Sequence, residues 1–191
     1  MKRMALILII TLMFGVVTVA VAAKAEDYSS TINVFKESPS VMKFFKNSYG
    51  YAVFPTIGKA GFVVGGSYGK GQVYRAGKGT GKVSVVEGSI GFQIGGEVFS
   101  EIIFFEDKRA YDEFTSGNFE FDATAQAVAI TAGAQAQAGT AGKTAGASAG
   151  PKTGVQAETK YHKGMATFVQ GKGGLMFEAS VAGQKFKFEP L

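Results

Sequence analysis

The spacing of apolar and polar positions changes character several times along the chain. Met4 to Ala23 is apolar except at Thr11, Gly15 and Thr18. Tyr28 to Ser48 follows a helical period: Val41, Phe44, Phe45 and Ser48 share one side, Lys43, Lys46 and Asn47 the other. Ser38-Pro39 divides this stretch, and Pro39 suits the first turn of a second helix. From Gly58 the period is two. Phe62, Val64, Gly66 and Tyr68 alternate with Val63, Gly65 and Ser67. Gly69-Lys70-Gly71 reads as a hairpin turn, Val73–Arg75 as the return strand, and Ala76–Lys82 as a flexible loop. Two more strands follow, Val83–Phe92 and Gln93–Phe105. The second ends in Ile102-Ile103-Phe104-Phe105, a run that predicts burial on both faces. Asp107 is a candidate N-cap for a short helix with Tyr111 and Phe114 inward and Gly117 as its stop.

Alanine then recurs at 123, 125, 127 and 129, and again at 132, 134, 136 and 138. One phase slip separates two runs of period two, as a bulged strand requires; the helical propensity of Ala leaves a helix as the other reading. Gly139–Pro151 has the composition of a loop. Strands are predicted at Val155–Tyr161, Met165–Val169, Leu175–Val181 and Lys185–Glu189, with tight turns at Gln170–Gly174 and Ala182–Gln184. The expectation is an α+β fold, mostly antiparallel β. About eight strands would form a closed or nearly closed barrel or a sandwich, with N-terminal helices and one short mid-chain helix.

Lys2 and Arg3 precede the first apolar run, and Ala20-Val21-Ala22 and Ala23-Lys24-Ala25 end it. This is the layout of a signal peptide over residues 1–23, leaving 24–191 as one domain; the run is also long enough for an uncleaved anchor. Either way the protein is expected to be exported, periplasmic or secreted, with membrane association. Without Lys2 and Arg3 the formal charge falls from +5 to +3, which gives little support to a nucleic-acid partner. Cys is absent and His162 is the one imidazole. Disulfides, thiolate metal sites, cysteine nucleophiles and multi-histidine metal sites within one chain are therefore excluded.

Enzymatic motifs fail on inspection. Gly142-Lys143-Thr144 ends like a phosphate loop, but Gln137 stands where its first Gly must be. Gly65–Gly71 leads into a strand rather than a helix. Glu97 and Glu101 would lie roughly 13 Å apart along a strand, beyond glycosidase spacing, and read as solvated charges. His162 has no recognisable nucleophile elbow to serve. The chain reads as no enzyme and needs no cofactor or metal. What remains is Phe35, Phe44 and Phe45 interleaved with Lys36, Lys43 and Lys46. That composition suits a helix lying in a lipid interface, and equally a helix with Phe on the core and Lys in water.

Four ordered blocks resemble the SYLF domain family. They are Phe54-Pro55 with Lys59–Phe62 and a Gly-rich hairpin; Gly88–Glu97; Asp122-Ala123-Thr124-Ala125; and Gly173–Ala179. The resemblance implies a lipid-binding domain, with actin binding in eukaryotic relatives. The Ala/Gly stretch at 131–151 departs from the family's shorter passage to Gly-Pro. Export argues against actin as a partner here. The expected function is therefore reversible, peripheral contact with phospholipid membranes or another amphipathic ligand; the alternative is a structural or assembly protein of the envelope. Phe35, Phe44 and Phe45 would enter the acyl boundary. Lys36, Lys43 and Lys46, with Lys59, Lys70 and Arg75, would meet the headgroups.

Overall fold

A computed structural model describes residues 28–130, 160–172 and 181–191, except for the side chains of 61–64 and 89–95. The leader, the Ala/Gly stretch at 131–151, most of the predicted strands at Val155–Tyr161 and Leu175–Val181, and the fourth family block lie outside the described residues. Among those residues no helix is long and apolar enough to cross a membrane.

The chain opens with α1 (Tyr28–Lys36) and α2 (Pro39–Asn47). Pro39 sits in the first turn of α2, where a missing N–H costs nothing. Lys36 and Lys46 close the two helices, where a cation meets the negative end of the helix dipole. Two long strands follow, β1 (Gly50–Arg75) and β2 (Lys78–Phe105), paired antiparallel from Gly50↔Phe105 out to Arg75↔Lys78. The turn between them is Ala76-Gly77, both left-handed, with φ of 48° and 76°. That geometry is a type I′ turn, whose twist matches the flanking strands. The predicted turn at Gly69–Gly71 and the loop at Ala76–Lys82 are therefore both wrong. The strand runs through the first, and the second holds a two-residue turn and continuing strand.

Gly69 and Gly71 serve close approach instead. A β-carbon on Gly71 would lie 2.5 Å from the Val53 carbonyl oxygen, and one on Gly50 would lie 2.5 Å from that of Tyr74. The hairpin thus folds back on itself, its tip half lying over its base half. Register shifts at Phe54/Ile57 and Gly61/Val63 supply the bend. The tip half of β2 pairs with β6 (Lys185–Pro190), and its base half with β5 (Met165–Gly171). Beyond these lie β3 (Asn118–Glu120) on β6 and β4 (Ala127–Ala129) on β5, giving the order β3-β6-β2-β5-β4 with β1 on β2. Counted as two segments each, the bent strands bring the sheet to eight segments in a half-barrel, the α+β class expected. The β4–β5 pair is parallel, an exception to the antiparallel pattern. Alanine alternation does give a strand, but only at Ala127–Ala129 among the described residues.

Ile102–Phe105 is buried on both faces, as its unbroken apolar run predicts. Ile103 and Phe105 face the concave core with Phe54, Phe114 and Phe186, while Ile102 and Phe104 face the helices with Phe168. Each such side chain stabilises the fold by about 1.5–3 kcal/mol. The helix α3 (Lys108–Phe114) closes one end of the concave core through Tyr111 and Phe114, capped by Asp107 Oδ1 accepting from Ala110 N–H at 2.8 Å. Phe186 inward with Lys185 and Lys187 outward reproduces the alternation of the last strand.

Ala76 is the strained member of the I′ turn, since a left-handed residue with a β-carbon costs about 1–2 kcal/mol. Ala76→Asn creates the favoured Asn-Gly pair and is expected to raise stability by about 1 kcal/mol in urea unfolding, with the m-value unchanged.

Candidate lipid-contact site

The face of α1 and α2 that carries Phe35 and Phe44 is consumed by the fold. Phe35 is 0% exposed and Phe44 4%. Phe44 packs on Phe104 at 5.5 Å, and on Phe168 and Tyr161 at 5.1 Å each. The outer side of β2 and β5 is apolar, and these rings are what cover it. Phe35 and Phe44 are therefore core residues, and the expectation that they enter a bilayer is corrected. Lys59 is corrected too. Its ammonium lies 3.5 Å from a Glu87 carboxylate oxygen, with both side chains about nine-tenths buried, so its charge is already matched. Lys70 is exposed on the tip half of β1, and no described contact joins it to the helices.

Five predicted residues remain together. Lys36, Lys43 and Lys46 are exposed, and Phe45 is half-buried. Arg75 is exposed beside the hairpin turn, its guanidinium 5.7 Å from the Tyr49 ring centre. Lys36 Nζ lies 5.4 Å from the Phe45 ring centre, and Lys43 Nζ 5.3 Å from that of Phe44. None of these four cations makes an ion pair among the described residues, nor do Lys70, Lys78, Lys82, Lys160 and Lys172, whereas Lys59, Lys108, Arg109, Lys163, Lys185 and Lys187 do.

Between them runs a row of rings. Phe45 meets Tyr51 edge-on at 5.3 Å, and Tyr51 stacks on Tyr74 at 5.1 Å and 17°. Burial raises the pKa of the Tyr51 hydroxyl, with a smaller contribution from Tyr74; burial also raises that of Tyr74. Tyr74 donates to Gln72 Oε1 at 3.0 Å. Alongside opens a cleft of about 500 Å³. Phe45, Ser48, Tyr49 and Tyr51 line it from the end of α2 and the start of β1; Arg75 and the Ala76-Gly77 turn line it from the hairpin tip. Sequence reading missed the three tyrosines. Tyr49 and Tyr51 both line the cleft although they pack against opposite clusters, Tyr49 on the concave core beside Tyr111 and Tyr51 on the helix side beside Phe45 and Phe104. Tyr74 joins them only because the hairpin folds over.

Other candidates resolve as architecture. Asp122 Oδ1 accepts from Thr124 N–H at 2.7 Å and from its hydroxyl at 2.5 Å, while Oδ2 accepts from Lys163. The Lys163 bond first, then those from Thr124, hold the Asp122 carboxyl well below the usual range. This block pins the approach to β4 onto the turn before β5. His162 Nε2 lies 3.2 Å from Thr124 Oγ1 in the same cluster. Glu101 is not solvated as expected: it is fully buried, accepting from Gln184 Nε2 at 3.1 Å. Among the described residues no group of three potential metal ligands occurs.

The Ysc84 family model, described as "Las17-binding protein actin regulator", matches residues 86–189, more than half of the chain. The chain belongs to the Ysc84 (SYLF) family. The match spans three of the four blocks that carried the resemblance; the first, around Phe54–Phe62, lies before it. SYLF domains as a family bind lipids or actin regulators. The chain is also 29% identical over 161 residues to Beta cell expansion factor A of Aeromonas veronii. That alignment covers 83% of this chain and 52% of the relative, so the chain spans about half the relative's length.

Proposed function

We propose that this SYLF domain is an exported, non-catalytic module that makes reversible peripheral contact with phospholipid membranes. The contact face is the outer side of α2, the end of α1 and the hairpin tip. One observation supports this reading above the others. Lys36, Lys43, Lys46 and Arg75 are exposed around the half-buried Phe45 and the ring row beside it, and none of them makes an ion pair among the described residues. Charges left free in this way are available to an anionic surface, each worth about 1 kcal/mol near it. With Phe35 and Phe44 in the core, apolar insertion is confined to Phe45, so attachment is mainly electrostatic and reversible.

Co-sedimentation with vesicles of phosphatidylglycerol and phosphatidylcholine tests it. Wild type is expected to bind the mixed vesicles, to leave pure phosphatidylcholine vesicles in solution, and to be released by high salt. Lys43→Glu with Lys46→Glu is expected to weaken binding at least tenfold while the circular dichroism spectrum is retained. Equal binding by the double variant would rule out this face.

A further inference from the structure

The cleft at the hairpin tip has features that a flat electrostatic contact does not require. Its walls are aromatic, from Phe45, Tyr49 and Tyr51, and its cation is Arg75. No carboxylate lines it among the described residues. The Arg75 guanidinium is held near the Tyr49 ring, a placement that orients a planar cation without using its N–H donors. Lys36 stands by the Phe45 ring at the other end of the row. An arginine with free donors is suited to a tetrahedral oxyanion, which it can take through two parallel hydrogen bonds. Ring faces beside it suit the carbon skeleton attached to that oxyanion. Ser48 adds a hydroxyl to the same wall.

We propose that this cleft is a stoichiometric site for one phosphate ester, with Arg75 holding the phosphate and the Tyr49–Tyr51 wall covering the adjoining carbons. The proposal rests on the membrane-contact reading and sharpens it. Lys43 and Lys46 bring the domain to an anionic surface, and the cleft engages one headgroup. The same chemistry fits a free phosphate ester, so the sources have to be separated by experiment.

Three soluble probes do this: dihexanoyl phosphatidylglycerol below its micellar concentration, glycerol 3-phosphate and inorganic phosphate. Each is titrated into labelled protein and followed by NMR shifts of the Gly77 amide and the Tyr49 and Tyr51 rings. The expected result is saturable one-to-one shifts at those positions. Dihexanoyl phosphatidylglycerol should bind at least tenfold more tightly than inorganic phosphate. Arg75→Gln should weaken it at least tenfold, and Arg75→Lys should restore part of the loss. Glycerol 3-phosphate binding as tightly as the lipid would retain the phosphate site and assign it to a soluble ester. Absence of shifts with all three probes, or full binding by Arg75→Gln, would overturn the proposal. If Arg75→Gln still sediments with vesicles in that case, the membrane-contact reading survives it. If vesicle binding is absent while the cleft titrates, the cleft stands and that reading falls.

Discussion

Glu101→Gln is expected to make the protein more stable than wild type at pH 8 and to leave the two nearly equal near pH 5. Glu101 is 0% exposed, and burial pushes its pKa up to about 8, with Glu87 adding to the shift and the Gln184 bond opposing it. The unfolded chain titrates the same group near 4.5. Between these values the folded state keeps a proton that the unfolded state has released. Stability therefore falls as pH rises through this window, by about 1.4 kcal/mol per pH unit, and levels off above the folded pKa. The accumulated effect is on the order of 4 kcal/mol, a large share of a typical domain's stability.

The oxygens left without donors point the same way as burial, although the Gln184 bond itself opposes it. Glu101 Oε1 and Gln184 Oε1 are both buried and without a donor among the described residues. A proton on Glu101 makes one of its oxygens a donor and removes the charge. Glutamine at 101 keeps an acceptor for Gln184 Nε2 and supplies an N–H of its own, without a charge to desolvate. Urea unfolding of both proteins at half-unit steps from pH 5 to pH 8.5 measures the difference directly. Parallel curves would mean that Glu101 is ionised in the folded state throughout.

Glu101 also shows where sequence reading stops. Its position in an alternating strand was visible, and so was the apolar run after it, but its facing was not. A carboxylate on a strand reads as solvent-exposed unless both sheet faces are known to be covered. Local features were legible because their causes are local. The first-turn proline of α2, the Asp107 cap and the Phe186/Lys187 alternation each depend on neighbours within a few residues. Lys59 looked free because Glu87 lies 28 positions away and meets it only across the folded hairpin. Phe35 and Phe44 looked available because an amphipathic helix has the same period whether it covers a sheet or a bilayer. The lysines of the contact face were legible as exposed charge. The Tyr51–Tyr74 stack was not, because its two rings come from opposite ends of one 26-residue strand.

Glycine carries the same ambiguity, and it leads to the largest steric prediction. A glycine that turns the chain and one that lets two backbones touch look alike in sequence. Gly71 is of the second kind. A β-carbon there would lie 2.5 Å from the Val53 carbonyl oxygen and 2.7 Å from a carbon of the fully buried Phe54 ring. Neither neighbour is the loose end of a flexible side chain, so the two halves of β1 must separate to admit even a methyl group. Gly71→Ala is expected to cost about 3 kcal/mol or more, at the upper end of overpacking penalties. Gly58→Ala and Gly88→Ala lie on the same ribbon, with no heavy atom within 4 Å of the added carbon. They are expected to stay within about 0.5 kcal/mol of wild type. The contrast separates close approach from any general dislike of alanine in a Gly-rich strand. Because the tip half carries Arg75 and Tyr74 to the helices, Gly71→Ala should also loosen the cleft, seen as weaker titration of the Tyr51 ring by dihexanoyl phosphatidylglycerol. Three variants of equal stability would mean that the hairpin does not fold back at this position in solution, and the cleft would lose the wall that Arg75 and the turn provide.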